Sequence, residues 1–181
     1  MVWKNGKRGC DVEFLESVRM WLETTRLSWF MTHETWAWPI SETLHFLGLS
    51  LLIGNIGLFD LRLLGFAKRL PPGALHRLIP WGISGFAINV ITGISFFSGM
   101  PGEYMYTPIF QAKMLFVLLA GINVLVFYST VFRQVEALRP GEDAPLAAKI
   151  IGGTSLFLWV AVMCCGRLLT FYREYGIPPP Q

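Results

Sequence analysis

Four runs of this chain, at about 39–62, 76–99, 108–132 and 148–170, reach the roughly 20 mainly apolar residues that a helix needs to cross a bilayer. No water is present in hydrocarbon to satisfy stray backbone groups, so such segments must be helices that close their own hydrogen bonds. No charged side chain stands between Arg77 and Glu103, between Lys113 and Arg133, or between Lys149 and Arg167. The pattern predicts an all-α fold: an integral membrane four-helix up-down bundle, whose short connections make successive helices antiparallel neighbours.

Composition agrees. Only 15% of the 181 residues are charged, against roughly 25% in ordinary soluble domains, and 53% are hydrophobic. Trp36, Trp38, Trp81, Tyr104, Tyr106, Tyr128 and Tyr172 fall where the spans should end, as an interfacial aromatic belt does. The formal charge of +3 does not call for a nucleic-acid partner, because Lys and Arg are needed here for topology. The three cysteines form no framework: Cys10 is isolated, and Cys164 and Cys165 are adjacent in an apolar run without C-x-x-C spacing. The N-terminus has basic residues but no apolar stretch behind them, so no cleavable signal peptide is expected.

Arg62, Lys68, Arg69 and Arg77 surround the first inter-span loop, and Arg133, Arg139 and Lys149 the third, while SGMPGEYMYTP in the second has no basic residue. The positive-inside rule then places loops one and three in the cytoplasm and both termini in the periplasm of a bacterial inner membrane. Residues about 11–30 set Phe14, Leu15, Val18, Trp21, Leu22 and Trp29 at helical spacing beside a stripe of Glu16, Arg19, Glu23 and Arg26. This predicts an amphipathic helix lying in the interface. The expected organisation is an N-terminal segment with a surface helix (1–35), a four-span bundle (36–172) and a Pro-rich tail (173–181). Ser50 with Gly54, and Gly82, Gly85, Asn89 and Gly93, form small-residue stripes suited to close helix contact. Asn55, Asn89 and Asn123, each in a different span, are expected to hydrogen-bond between helices.

Glu42 and His45 lie one helical turn apart within the first span, and an ionisable group in the membrane is a functional-site hypothesis by default. Counting rise along the spans brings Gln111, Lys113 and Arg167 to the same level. An outer polar cluster of Glu42, His45, Gln111, Lys113 and Arg167 is therefore expected, with Met114 and Cys164 nearby. It can be a satisfied charge network, with Glu42 neutralising Lys113 or Arg167. The sharper alternative is a cofactor site. In that form His45 ligates haem b iron while Lys113 and Arg167 pair its propionates, or His45 hydrogen-bonds a quinone. His76 is a second candidate ligand, but it begins span two at the other end, roughly 20 Å away along the membrane normal, too far to share one haem with His45. Asp60 and Arg62 point to different sides of the helix and are expected to anchor the interface, partnered through Arg77 or the loop backbone rather than with each other.

No G-x-x-x-x-G-K, H-E-x-x-H or G-x-S-x-G motif occurs, so the sequence assigns no catalytic residue and no metal site, and it leans away from an enzyme. The expected role is an accessory or scaffold subunit of a larger membrane complex, of the electron-transfer kind. Its partners are the lipid bilayer and other membrane subunits or further copies of itself. The alternatives are a b-type haem- or quinone-binding redox protein using His45, and, third, a small-solute or metal-ion transporter.

The phrases ETLHFLGLSLLIGNIGLFDLRLLG, LHRLIPWGISGF, ITGISFF and YTPIFQAKMLFVLLAGINVLVFY resemble a bacterial four-span membrane family defined only as a domain of unknown function. The resemblance covers roughly residues 20–172 and includes His45, Asp60, Arg62, His76, Pro80, Trp81, Lys113 and Asn123. It implies the four-span fold and topology and brings no activity with it.

Overall fold

The computed structural model describes the backbone of residues 5–66 and 68–174 and the side chains of residues 13–66 and 68–171. Residues 175–181 of the Pro-rich tail, and the side chains of Cys10 and Tyr172, lie outside the described residues. Within them the chain is helical, with no strand. Helices α1 (Asn5–Glu23) and α2 (Arg26–His33) precede the first span, α3 (Ala37–Leu64). A short α4 (Pro72–His76) leads into α5 (Ile79–Gly99), and α6 (Pro101–Met105) into α7 (Pro108–Thr130). The single-turn α8 (Phe132–Glu136) and the long α9 (Leu146–Glu174) complete the chain. Four segments are long and apolar enough to cross a membrane: Ala37–Leu64, Pro72–Gly99, Pro108–Thr130 and Leu146–Phe171. The chain is a multi-pass membrane protein.

Helix boundaries follow local chemistry. Pro72, Pro80, Pro101 and Pro108 stand at the first or second position of α4, α5, α6 and α7, where a missing N–H costs nothing. Gly65 ends α3 in the left-handed region (φ 99°), letting the Phe66 N–H turn back to the Leu61 carbonyl at 3.0 Å. The surface helix expected over 11–30 is two helices. Thr24 and Thr25 donate their hydroxyls to the carbonyls of Trp21 and Leu22, and the Thr25 oxygen then accepts from the Ser28 N–H as the cap of α2.

Backbones approach most closely in the series α5–α3–α9–α7, so spans two and three, successive in the chain, are not the close neighbours that their short connection predicts, and spans one and four pack together instead. Lipid is as apolar as leucine, so helices in it associate through close packing rather than the hydrophobic effect. The α3/α5 seam is built on Gly48 and Gly85: a Cβ on Gly85 would come within 2.5 Å of the Gly48 carbonyl oxygen. The stripe expected on α3 therefore sits elsewhere. Gly54 has nothing near its Cβ position, and the exposed Ser50 donates to its own helix at Phe46. On α5, Gly82 and Gly85 are in the seam and Gly93 is not. Gly152 performs the same service for α9, with Leu63 and the Asp60 carbonyl 3.1 and 3.3 Å from its Cβ position.

Two apolar clusters fill the interior. One, at mid-depth, joins Leu52, Ala120, Leu158, Trp159 and Val162. The other closes the end that loops one and three share, where Phe59 and Leu63 meet Leu75, Phe127, Val131, Val135 and Ala148. Val135 lies beyond the spans and is 1% exposed, so water does drive its burial, by roughly 1.5 kcal/mol or more. At the opposite end α2 folds against α5 and α3, with Met31 buried beside Gly99 and Trp38.

Candidate functional site

His45 turns into the α3/α5 seam one turn above Gly48. Its Nδ1 is 2.7 Å from the Thr92 hydroxyl, and its ring meets Phe96 with centroids 5.6 Å apart. Thr92, 4% exposed, has one proton to give and donates it to the Ile88 carbonyl at 2.7 Å. His45 is then the donor through Nδ1–H, and its neutral ring carries a lone pair on Nε2. That Nε2 has no hydrogen-bond partner among the described residues.

Lys113 approaches from α7. Its Nζ lies 3.8 Å from where a Cβ on Gly166 would stand, so a larger residue there would crowd the ammonium. It is close enough to interact electrostatically with His45 and with the buried Cys165. No hydrogen bond or ion pair to Lys113 exists among the described residues. Arg19 pairs with Glu16 and Glu23, and Asp143 with Lys68 and Lys149, all away from this site.

The five-residue cluster expected at this level does not assemble. His45 and Lys113 come together, but Glu42 and Arg167 are exposed and neither is paired with Lys113 or with the other. Gln111 donates instead to the Met105 carbonyl at 3.3 Å. The rise per residue sets depth correctly, but each residue also turns the helix by about 100°, and that angle decides which neighbour a side chain meets. For the same reason Cys165, not the exposed Cys164, faces Lys113, and Met114 is 42% exposed.

His76 sits at the far end of the bundle, its Nε2 3.2 Å from the Tyr128 hydroxyl and its ring against Phe132. It shares nothing with His45. Asp60 and Arg62 likewise do not pair, and neither is an exposed interfacial anchor. Asp60 is 4% exposed and hydrogen-bonds Ser155 on α9, leaving Oδ2 without a partner. Arg62 is fully buried. Its Nε donates to the Leu70 carbonyl at 2.8 Å and its Nη2 to the Glu142 carbonyl at 3.1 Å, while Nη1 is unpartnered. The loop backbone is therefore its partner, as expected.

Of the three span asparagines only Asn123 hydrogen-bonds to another helix, donating to the Ile151 carbonyl on α9 at 3.1 Å. Asn55 and Asn89 donate within their own helices, to Leu51 and Gly85, and the Asn89 Oδ1 is buried without a partner. Sequence reasoning missed Thr92 and Ser155. Their only signal is a hydroxyl inside an apolar run. It also missed the clamp at the N-terminal end, where the Tyr106 hydroxyl donates to Glu16 at 2.8 Å; the pairs that Arg19 makes there with Glu16 and Glu23 are those the helical spacing of the polar stripe sets up. The Tyr106 hydrogen bond, then Arg19, hold the Glu16 carboxyl below its ordinary range.

Among the described residues no three His, Cys, Asp or Glu side chains are grouped so as to hold a metal ion. The site thus brings one imidazole acceptor and one ammonium donor to the same level, with Phe96 against the imidazole. No curated protein and no solved structure matches the chain. A family model does match, over residues 19–172, and the chain belongs to that family, the family of unknown function DUF6644.

Proposed function

We propose that the protein is an accessory or scaffold subunit of a larger assembly of the electron-transfer kind in the bacterial inner membrane. The observation that carries this reading is the aromatic surface of the N-terminal helices, outside the four spans. Phe14, Trp21, Trp29 and Trp36 are all more than half exposed there, whereas the outward apolar face of α7 is one that lipid itself covers. Such an aromatic surface suits a subunit that is covered by neighbours. The basic loops one and three support a cytoplasmic placement for that end and a periplasmic one for the termini. The test is extraction in mild detergent followed by native electrophoresis and a subunit inventory. Stable co-purifying membrane subunits are expected; a lone monomer in every mild detergent would remove the reading.

A second reading, cofactor binding at His45 with haem b or a quinone as the ligand, draws on one specific observation. The Nε2 lone pair is held in a fixed orientation by Thr92 and has no partner among the described residues. Its first test is the visible spectrum of the purified protein.

A further inference from the structure

We infer that the lipid-facing space between α5 and α7, whose backbones do not pack together, binds the head of a lipid-soluble quinol, with Lys113 donating to one of its oxygens and His45 accepting from a quinol hydroxyl. This rests on the second reading and narrows it to one ligand class. An ammonium without an anion or a hydrogen-bond acceptor is costly in a membrane, and such a group marks a ligand or ion pathway by default. Lys113 is in that position, since nothing among the described residues bonds it. His45 sets the complementary demand. Because Nδ1 is spent on Thr92 and Thr92 is spent on Ile88, Nε2 can only accept a proton or bind a metal.

A carboxylate would satisfy Lys113 and leave Nε2 without a donor. A quinol satisfies both, since its hydroxyl oxygen accepts from the ammonium while a hydroxyl proton goes to the imidazole. The surroundings suit a flat, neutral ring arriving from lipid. Phe96 lies against His45, Trp38 lies 5.0 Å from Phe96, and Phe97 stacks on Phe110 at the same end. Gly93 has open space at its Cβ position. The backbones of α5 and α7 are not closely packed, so the approach is lateral, between spans.

One donor and one acceptor together predict a redox preference. The oxidised quinone accepts from Lys113 but has no proton for Nε2. Wild-type protein should therefore bind quinol more tightly than quinone by roughly 2- to 12-fold, the worth of one neutral hydrogen bond.

The experiment uses the full chain in nanodiscs, titrated with decyl-benzoquinol and with decyl-benzoquinone, binding being read by quenching of intrinsic tryptophan fluorescence against empty discs. Lys113→Met should weaken both forms by roughly tenfold or more, as loss of a charged donor does. Lys113→Arg should retain most of the binding, and His45→Leu should weaken quinol alone and erase the preference. If His45→Leu does not fold, the preference measured in wild-type protein decides the matter. Equal affinity for both forms, no saturable quenching above empty discs, or unchanged binding in Lys113→Met overturns the inference. A Soret band that disappears in His45→Leu would also overturn it, while leaving the second reading standing in its haem form. Absence of both quinol binding and haem would end that reading too.

Discussion

The guanidinium of Arg62 reaches from span one to the carbonyl of Glu142, 3.1 Å away and 80 residues on in the chain. With its Nε on Leu70, one buried side chain ties loop one to loop three. The Gly141 N–H adds a bond to the Lys68 carbonyl at 2.8 Å, and Lys68 pairs with Asp143. The two loops form one lid over the apolar cluster around Leu63 and Val135.

Removing that side chain should be the most damaging single change at this end. Arg62→Leu leaves the Leu70 and Glu142 carbonyls unbonded, at roughly 1.5–3 kcal/mol for each charged hydrogen bond lost. Arg62→Lys, with a point charge in place of a planar fork, should lose about half as much. Thermal unfolding in detergent, followed by circular dichroism, measures both; equal melting temperatures for all three proteins would show that the loops are held by other contacts.

The helix seam makes a sharper contrast. Gly85→Val drives a side chain into the Gly48 carbonyl and Leu51 and should cost on the order of 1–3 kcal/mol through overpacking. Gly54→Ala meets empty space and should be neutral or slightly stabilising, since alanine is the better helix former. The same melting experiment separates the two, and a reversed order would place the seam elsewhere.

Asn123→Val removes the only asparagine bond that crosses between spans in the described structure. The expected loss is about 0.6–2 kcal/mol. Asn55→Val, whose bond stays within α3, should cost less. Unfolding in a series of denaturing detergent mixtures resolves differences of this size.

The N-terminal clamp should respond to acid. Glu16 has its folded value depressed below the ordinary 4.5, by the Tyr106 hydroxyl first and Arg19 second. Its contribution is complete above that ordinary value and is lost as pH falls through the lower folded one. Tyr106→Phe and Glu16→Gln should mimic the acid state at neutral pH. Tryptic cleavage in α1 and α2, monitored by mass, should be several-fold faster in both variants; if wild-type protein is cut equally fast at neutral pH, the clamp does not hold these helices down.

The sequence alone determined the spans and the level at which His45 and Lys113 sit. Both follow from composition and from rise along a helix, which are local quantities. The loop-backbone partner of Arg62 was legible, because residues two apart point to different sides of a helix and Asp60 is excluded, but its complete burial was not. Tertiary structure alone decided that Gly48 rather than Gly54 meets α5, that Thr92 holds His45, and that Glu42 and Arg167 stay out of the site. Each depends on the rotation of one helix against another. That rotation is fixed by close packing between residues distant in the chain, and no periodicity within a single span records it.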